Sequence, residues 1–193
     1  MHALNNTGAS GVARQKTIEA SVGFPPVSAA NARVLVLGSL PGARSLEETR
    51  YYAQPRNAFW RIMGDLYGAA PELPYADRLQ RLLDARVALW DVVASAVRPG
   101  SLDSNIARAT VVVNDFAAFF AGHRQIGLIC FNGQAAEKLF RRHVLPGLGA
   151  FVPNDRMILP STSPANAGMP YAEKLRQWRS AMAEFSSQRA PEE

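Results

Sequence analysis

Four short apolar runs, at residues 33–38, 86–93, 126–131 and 156–159, recur along the chain without internal polar alternation. A strand with one wet face alternates apolar and polar positions, so unbroken runs of this length fit strands covered on both faces, the pattern of a parallel sheet. Between the runs the period changes to that of a helix. Residues 57–67 set Phe59, Ile62, Met63 and Leu66 on one face, residues 76–83 set Leu79, Leu82 and Leu83, and residues 115–121 set Phe116, Phe119 and Phe120. Residues 134–143 and 171–185 complete the helical set. Strands and helices that alternate through right-handed crossovers place helices on both sides of the sheet. The predicted architecture is α/β, a three-layer α/β/α domain around a central parallel sheet of about four strands.

The ends of the chain read differently. Residues 1–21 mix Asn, Gly, Ser and Thr without periodicity and are expected to form an N-terminal tail. The stiff apolar segment Val22-Gly23-Phe24-Pro25-Pro26-Val27 opens the folded unit, expected to run as one domain over residues 22–188, with residues 189–193 as a C-terminal tail. A length of 193 residues, 48% of them hydrophobic, suits one sizeable core. The formal charge of +5 tilts modestly toward a polyanionic partner. Cys130 is the only cysteine, so one chain cannot build a disulfide framework, a cysteine-ligated zinc or an iron–sulfur cluster, and a reducing cytoplasmic setting is expected. His2, His123 and His143 are scattered, and no metal or cofactor is expected. No run approaches the roughly 18 apolar residues that span a bilayer, so no membrane role is expected.

In parallel α/β sheets ligands bind beyond the carboxyl ends of the strands. Here those ends carry Gly38-Ser39-Leu40-Pro41-Gly42, then Asp91, then Asn132-Gly133, then Pro160-Ser161-Thr162-Ser163-Pro164-Ala165-Asn166. The first turn lets backbone approach a ligand, or simply meets the dihedral needs of a tight corner. It lacks the Gly-Lys-Ser/Thr ending of a phosphate-binding loop and the G-x-G-x-x-G of dinucleotide binders. Asp91 follows an apolar run, so it either accepts from nearby backbone amides or faces a ligand N–H. Asn132 either reads a ligand edge or caps the following helix, with capping the better fit. Ser161, Thr162, Ser163, Pro164, Ala165 and Asn166 suit a rigid loop offering hydroxyls and amides to phosphates, or a plain entry into the last helix.

The segment Tyr51-Tyr52-Ala53-Gln54-Pro55-Arg56-Asn57-Ala58-Phe59-Trp60 is the most telling. Pro55 interrupts it, which puts Tyr51 and Tyr52 in a loop above the sheet, where a ring can stack on a base at about 1–3 kcal/mol or serve as packing. Asn57 either caps the next helix or orients a water beneath a sugar C1′. Phe59 and Trp60 read as core. Arg44, Arg56 and Arg98 are candidate phosphate contacts, or ordinary surface charges.

Taken together, these residues resemble the uracil-DNA glycosylase superfamily and, within it, the hypoxanthine (deoxyinosine) DNA glycosylase family. The matching stretches also include Leu89-Trp90-Asp91-Val92-Val93 and Arg98-Pro99-Gly100-Ser101-Leu102-Asp103, and they run in order from about residue 22 to 185. The resemblance implies an α/β/α enzyme that flips a deaminated base out of DNA and hydrolyses its N-glycosidic bond without metal or cofactor. It implies base-binding roles for Gly38, Ser39, Leu40, Tyr51, Tyr52, Asp91 and Asn132, and DNA contacts from Arg56 and residues 161–166. Leu40 stands where the superfamily often carries a water-activating Asn or Asp, which is typical of the deoxyinosine group. There the asparagine of Pro-Arg-Asn-x-Phe-Trp substitutes, and it maps onto Asn57. Gln54 stands where relatives commonly have His, keeping a polar group but losing a titratable one.

The expected function is a monofunctional glycosylase acting on hypoxanthine in DNA, as a monomer. Its rivals are a uracil or mismatch glycosylase and a non-catalytic DNA-damage binding module. A small-molecule hydrolase is disfavoured, since no G-x-S-x-G nucleophile elbow occurs.

Overall fold

The computed structural model describes residues 19–149, 152–153 and 155–187, with side chains to residue 183. Most of the expected N-terminal tail, residues 189–193 and His2 lie outside the described residues. Strands β2 (Val34–Gly38), β3 (Val87–Asp91), β6 (Leu128–Asn132) and β7 (Asp155–Leu159) form a parallel sheet in the order β3-β2-β6-β7. A second sheet, not anticipated, pairs β1 (Ala20–Val22), β4 (Val93–Val97) and β5 (Val112–Val113) antiparallel in the order β1-β4-β5. The described fold therefore already includes Ala20 and Ser21.

The unalternating runs have the expected cause. Val34, Val36, Val87, Leu89, Leu128 and Cys130 point to one face of the sheet, where α2 (Phe59–Tyr67), α3 (Tyr75–Asp84) and α7 (Tyr171–Ser187) supply Phe59, Ile62, Leu82 and Trp178. Leu35, Leu37, Ala88, Trp90, Ile129 and Phe131 point to the other. There they meet Phe116, Phe119 and Phe120 of α4 (Phe116–Gly122) and Ala136 of α5 (Gln134–Leu139). Asp115 caps α4 by accepting from the Ala118 amide at 2.9 Å. A π turn at Phe140–Val144 widens the helix begun by α5 before it continues as α6 (Leu145–Leu148).

Two strands depart from expectation. The run at 86–93 is not one strand: β3 ends at Asp91, and the chain leaves the parallel sheet at Val92 to begin β4. The break is anchored by Val92 N–H donating to Gly38 O (2.9 Å) and Val93 N–H to Ser39 O (3.0 Å), so the first turn and the second sheet are built on one another. Strand β7 is an edge, not covered on both faces, and Ile158 is 52% exposed. A short helix, α1 (Ala43–Glu48), also went unanticipated. On the opposite edge, Val27 bridges Leu89, and the Phe24 and Pro25 carbonyls accept from Trp90 Nε1 (3.0 Å) and Tyr51 Oη (3.1 Å).

Candidate active site

A cleft of about 660 Å³ opens over the carboxyl ends of the parallel strands. Of the residues singled out for base, water or DNA contact, all but Arg98 and Asn166 line it. Each arrives there for a different local reason.

Gly38 closes β2, where a Cβ would clash with Asp91 Oδ1 and lie 3.2 Å from Tyr52 Oη; only glycine lets these groups converge. Ser39 Oγ donates to Asp103 Oδ1 at 2.6 Å. The Leu40 side chain is buried against Val93, Ala96 and Ile106, and its carbonyl, like that of Pro41, accepts from Arg98. Arg98 is thus no phosphate contact. It is buried at 4% exposure and clamps the first turn from behind, with Nε left unpartnered. Arg44 lies at the cleft edge but is ion-paired to Glu47 and Glu48.

Tyr51 and Tyr52 lie in the connection between α1 and α2, yet they do different work. Tyr51 is 3% exposed: its hydroxyl donates to Pro25 O, its ring meets Phe24 edge-on at 5.2 Å, and its carbonyl accepts from Trp60 Nε1 at 2.9 Å. It belongs to the core. Tyr52 adopts φ +54, which costs a side-chain-bearing residue about 1–3 kcal/mol. That conformation stacks its ring on Phe59 at 3.9 Å and lets its hydroxyl accept from Asn132 Nδ2 at 3.0 Å. Burial, followed by the neighbouring Asp91 charge, pushes both phenols well above the usual tyrosine range.

Asn132 does not cap α5, whose N-terminus receives no side-chain hydrogen bond. Its amide is spent across the cleft floor: Nδ2 donates to Tyr52 Oη and to Thr162 Oγ1 (2.9 Å), and Oδ1 accepts from Thr162 N–H (2.8 Å). Thr162 is 1% exposed and turns inward, its carbonyl accepting from Ala58 N–H at 2.9 Å. Ser163 Oγ accepts from Ala165 N–H and starts a single turn, Pro164–Asn166. Asn166 points back, donating to Ser161 O at 3.1 Å while its own carbonyl accepts from the buried Lys174 at 2.8 Å.

Asn57 sits at the head of α2 with Oδ1 accepting from Phe59 N–H at 3.0 Å. That bond fixes the amide plane of a residue that lines the cleft, and Oδ1 keeps a second lone pair. Arg56 beside it is exposed at the rim.

Asp91 is the electrostatic anomaly. It is 4% exposed at the end of β3, with Oδ2 buried and unpartnered. Burial first, and the charge of Asp103 second, push its carboxyl up to about 7, against the opposing pull of Arg98. Asp103, to which the sequence assigned no role, lines the cleft from the loop after β4. Its bond to Ser39 spans 64 residues of sequence. Ser45 and Ser101 were likewise missed; they accept from Ala53 N–H (3.2 Å) and Ala43 N–H (2.9 Å) and hold the cleft wall. Among the described residues no His, Cys, Asp and Glu cluster suited to a metal occurs, and no helix is long and apolar enough to cross a membrane.

The family model of the uracil DNA glycosylase superfamily matches residues 25–185. The chain belongs to that superfamily. A hypoxanthine DNA glycosylase of Methanosarcina acetivorans is 37% identical over 145 residues, covering 75% of this chain and 87% of the relative. One of Methanosarcina barkeri is 36% identical over 113 residues, covering 58% and 70%. A solution NMR structure from Methanosarcina acetivorans, provisionally assigned as a uracil DNA glycosylase, superposes with a TM-score of 0.71 at 32% identity, covering 87% of this chain and 99% of that one. In this superfamily member, Leu40 leaves the first turn without a carboxylate or an amide side chain.

Proposed function

We propose that this protein is a monofunctional DNA glycosylase that accepts an extruded hypoxanthine and hydrolyses its N-glycosidic bond, leaving an abasic site. The observation that carries this reading is the cleft that brings Asn57, Asp91 and the residue 38–42 turn together over the strand ends of a superfamily fold, in a chain whose curated relatives are hypoxanthine DNA glycosylases. A flipped base enters against the backbone of Gly38, Ser39 and Leu40 and the ring of Tyr52, while Tyr51 and Asn132 hold that wall in place. Hypoxanthine offers the acceptors O6 and N7 and the donor N1–H. The neutral carboxyl of Asp91 donates to an acceptor on that edge, stabilising the electrons that collect on the purine as it leaves. Asn57 holds a water toward C1′, its amide oriented by the Phe59 N–H. Ser161, Ser163 and the Pro164–Ala165 turn approach flanking phosphates, with Arg56 beside them. The single domain is taken to act as a monomer in the cytoplasm, where the buried Cys130 needs no oxidised partner.

The test is a panel of duplexes carrying one deoxyinosine, one uracil or one mismatch, each incubated with the protein and then with alkali. Scission at deoxyinosine after alkali, and none without it, is expected; no scission on any lesion overturns the enzymatic reading. The water-holding role is checked by Asn57→Ala. Single-turnover cleavage should fall roughly 10²–10³-fold, the scale of losing one preorganised polar group, with duplex affinity nearly kept. Equal losses in both would leave Asn57 as a helix cap alone.

A further inference from the structure

Hydrolysis at C1′ must dispose of a water proton, and the amide of Asn57 can orient that water but cannot take the proton, since an amide is not a base at neutral pH. Leu40 supplies nothing. Among the described residues lining the cleft there is no histidine, and the carboxylates are Asp91 and Asp103. Asp91 is buried behind Gly38, with one oxygen unpartnered. Asp103 differs on each count. Its side chain is 38% exposed, one oxygen accepts from the Ser39 hydroxyl at 2.6 Å, and the Arg98 guanidinium lies 3.9 Å away.

We propose that Asp103 is the second catalytic carboxylate of this site, an ionised group that stabilises the sugar cation and accepts the proton of the attacking water. This rests on the glycosylase reading above. The C1′–N9 bond breaks and its electron pair leaves with the purine, which takes a proton from the neutral Asp91. The water oxygen bonds C1′ and its proton passes to Asp103. Exchange with solvent returns both carboxyls to their starting states, so the balance is one water added across one bond.

The surroundings set the two aspartates apart, which is what an acid–base pair requires. Asp91 faces Asp103, the cation of Arg98 at the end of β4, and the phenols of Tyr51 and Tyr52 from the segment between α1 and α2. Asp103 faces Asp91, Arg98, the Ser39 hydroxyl and, from the segment between α1 and α2, the Tyr52 phenol. Burial lifts Asp103 above the ordinary carboxylate value, while the Ser39 bond and then Arg98 hold it down. The Arg44 and Arg56 cations also line the cleft.

The test is single-turnover cleavage of a deoxyinosine duplex by the full chain across pH 4–9 (about the range a carboxylate pair spans), with duplex affinity measured alongside. Asp103→Asn keeps an acceptor for Ser39 and removes only the charge. Its rate should fall about a hundredfold, with affinity equal or tighter because a negative charge has left the DNA surface. The acid-side limb of the wild-type profile should vanish. Asp103→Glu should restore part of the rate, and Ser39→Ala should shift the acid limb to higher pH by removing a donor to the carboxylate. An Asp103→Asn rate within about threefold of wild type, or a loss matched by weakened binding, overturns the role of Asp103 and leaves the glycosylase reading standing. If the wild-type protein itself cleaves no lesion, the glycosylase reading is what fails.

Discussion

The two sides of the cleft are built on opposite principles. On one side, Tyr52, Asn132 and Thr162 exchange every side-chain hydrogen bond that Asn132 makes, and Asn166 and Lys174 close the loop behind them. On the other, beside the first turn, the buried Asp91 Oδ2 has no partner. Buried polar groups are normally satisfied because each orphan costs about 1–3 kcal/mol. A protein that saturates one wall and leaves an orphan in the other has a frame and a working face. The frame holds shape. The working face keeps its bonding capacity for a base that brings its own donors and acceptors.

The sharpest way to break this contrast is at Asp91. Asp91→Asn keeps the shape of the side chain but cannot transfer a proton, and single-turnover cleavage should drop about 10²-fold near neutrality. The sign of the pH effect follows from the direction of the shift. A carboxyl raised to about 7 is neutral and active below that pH and loses its proton above it. The wild-type rate should therefore decline on the alkaline side of about 7, and the variant should lack that decline. Because Asp91 and Asp103 interact, the limb reports the pair more than either group alone. A variant profile that still falls above neutrality would place the titrating group elsewhere.

Asn132 tests the other wall. Removing its amide leaves the Thr162 N–H without an acceptor and strips Tyr52 Oη and Thr162 Oγ1 of a donor, so Asn132→Ala should cost roughly 2–4 kcal/mol. At this chain length that lowers Tm by about 5–10 °C, read by thermal denaturation. The contrast with Asp91→Asn is the point: one variant should lose mainly stability and the other mainly rate. An Asn132→Ala protein of unchanged Tm would remove it from the frame.

How much of this was legible beforehand follows from the range over which each feature is determined. The parallel strands were readable because burial on both faces leaves runs such as Val34-Leu35-Val36-Leu37 without polar punctuation. The second sheet was not, since Val92 and Val93 continue the apolar run of β3 with no Gly or Pro to mark the departure. Strand β7 misled for the reverse reason: Ile158 is apolar yet exposed on an edge. Asn57 and Asp91 were locatable because topology places chemistry at strand ends and helix starts. The job of Asn132 was hidden, because Asn-Gly before a helix has the local look of a cap, while its partners lie 30 and 80 residues away. Asp103 was harder still, as nothing local ties a loop carboxylate to Ser39.

The smallest expected effect belongs to the rim, outside both walls. Arg56 is exposed, and its backbone N–H donates to Gln54 Oε1 at 3.3 Å, a bond that substitution of the side chain leaves in place. Its worth is then electrostatic. Each phosphate neutralised by a protein cation contributes about 0.9 to the slope of log affinity against log salt. Arg56→Ala should lower that slope by about 0.9 while leaving the bound-state cleavage rate and Tm nearly unchanged. The loss should be equal for duplexes with and without deoxyinosine, because a phosphate contact carries no base information. A lesion-selective loss would instead move Arg56 from the rim into the working face, and the division between frame, working face and rim would have to be redrawn there.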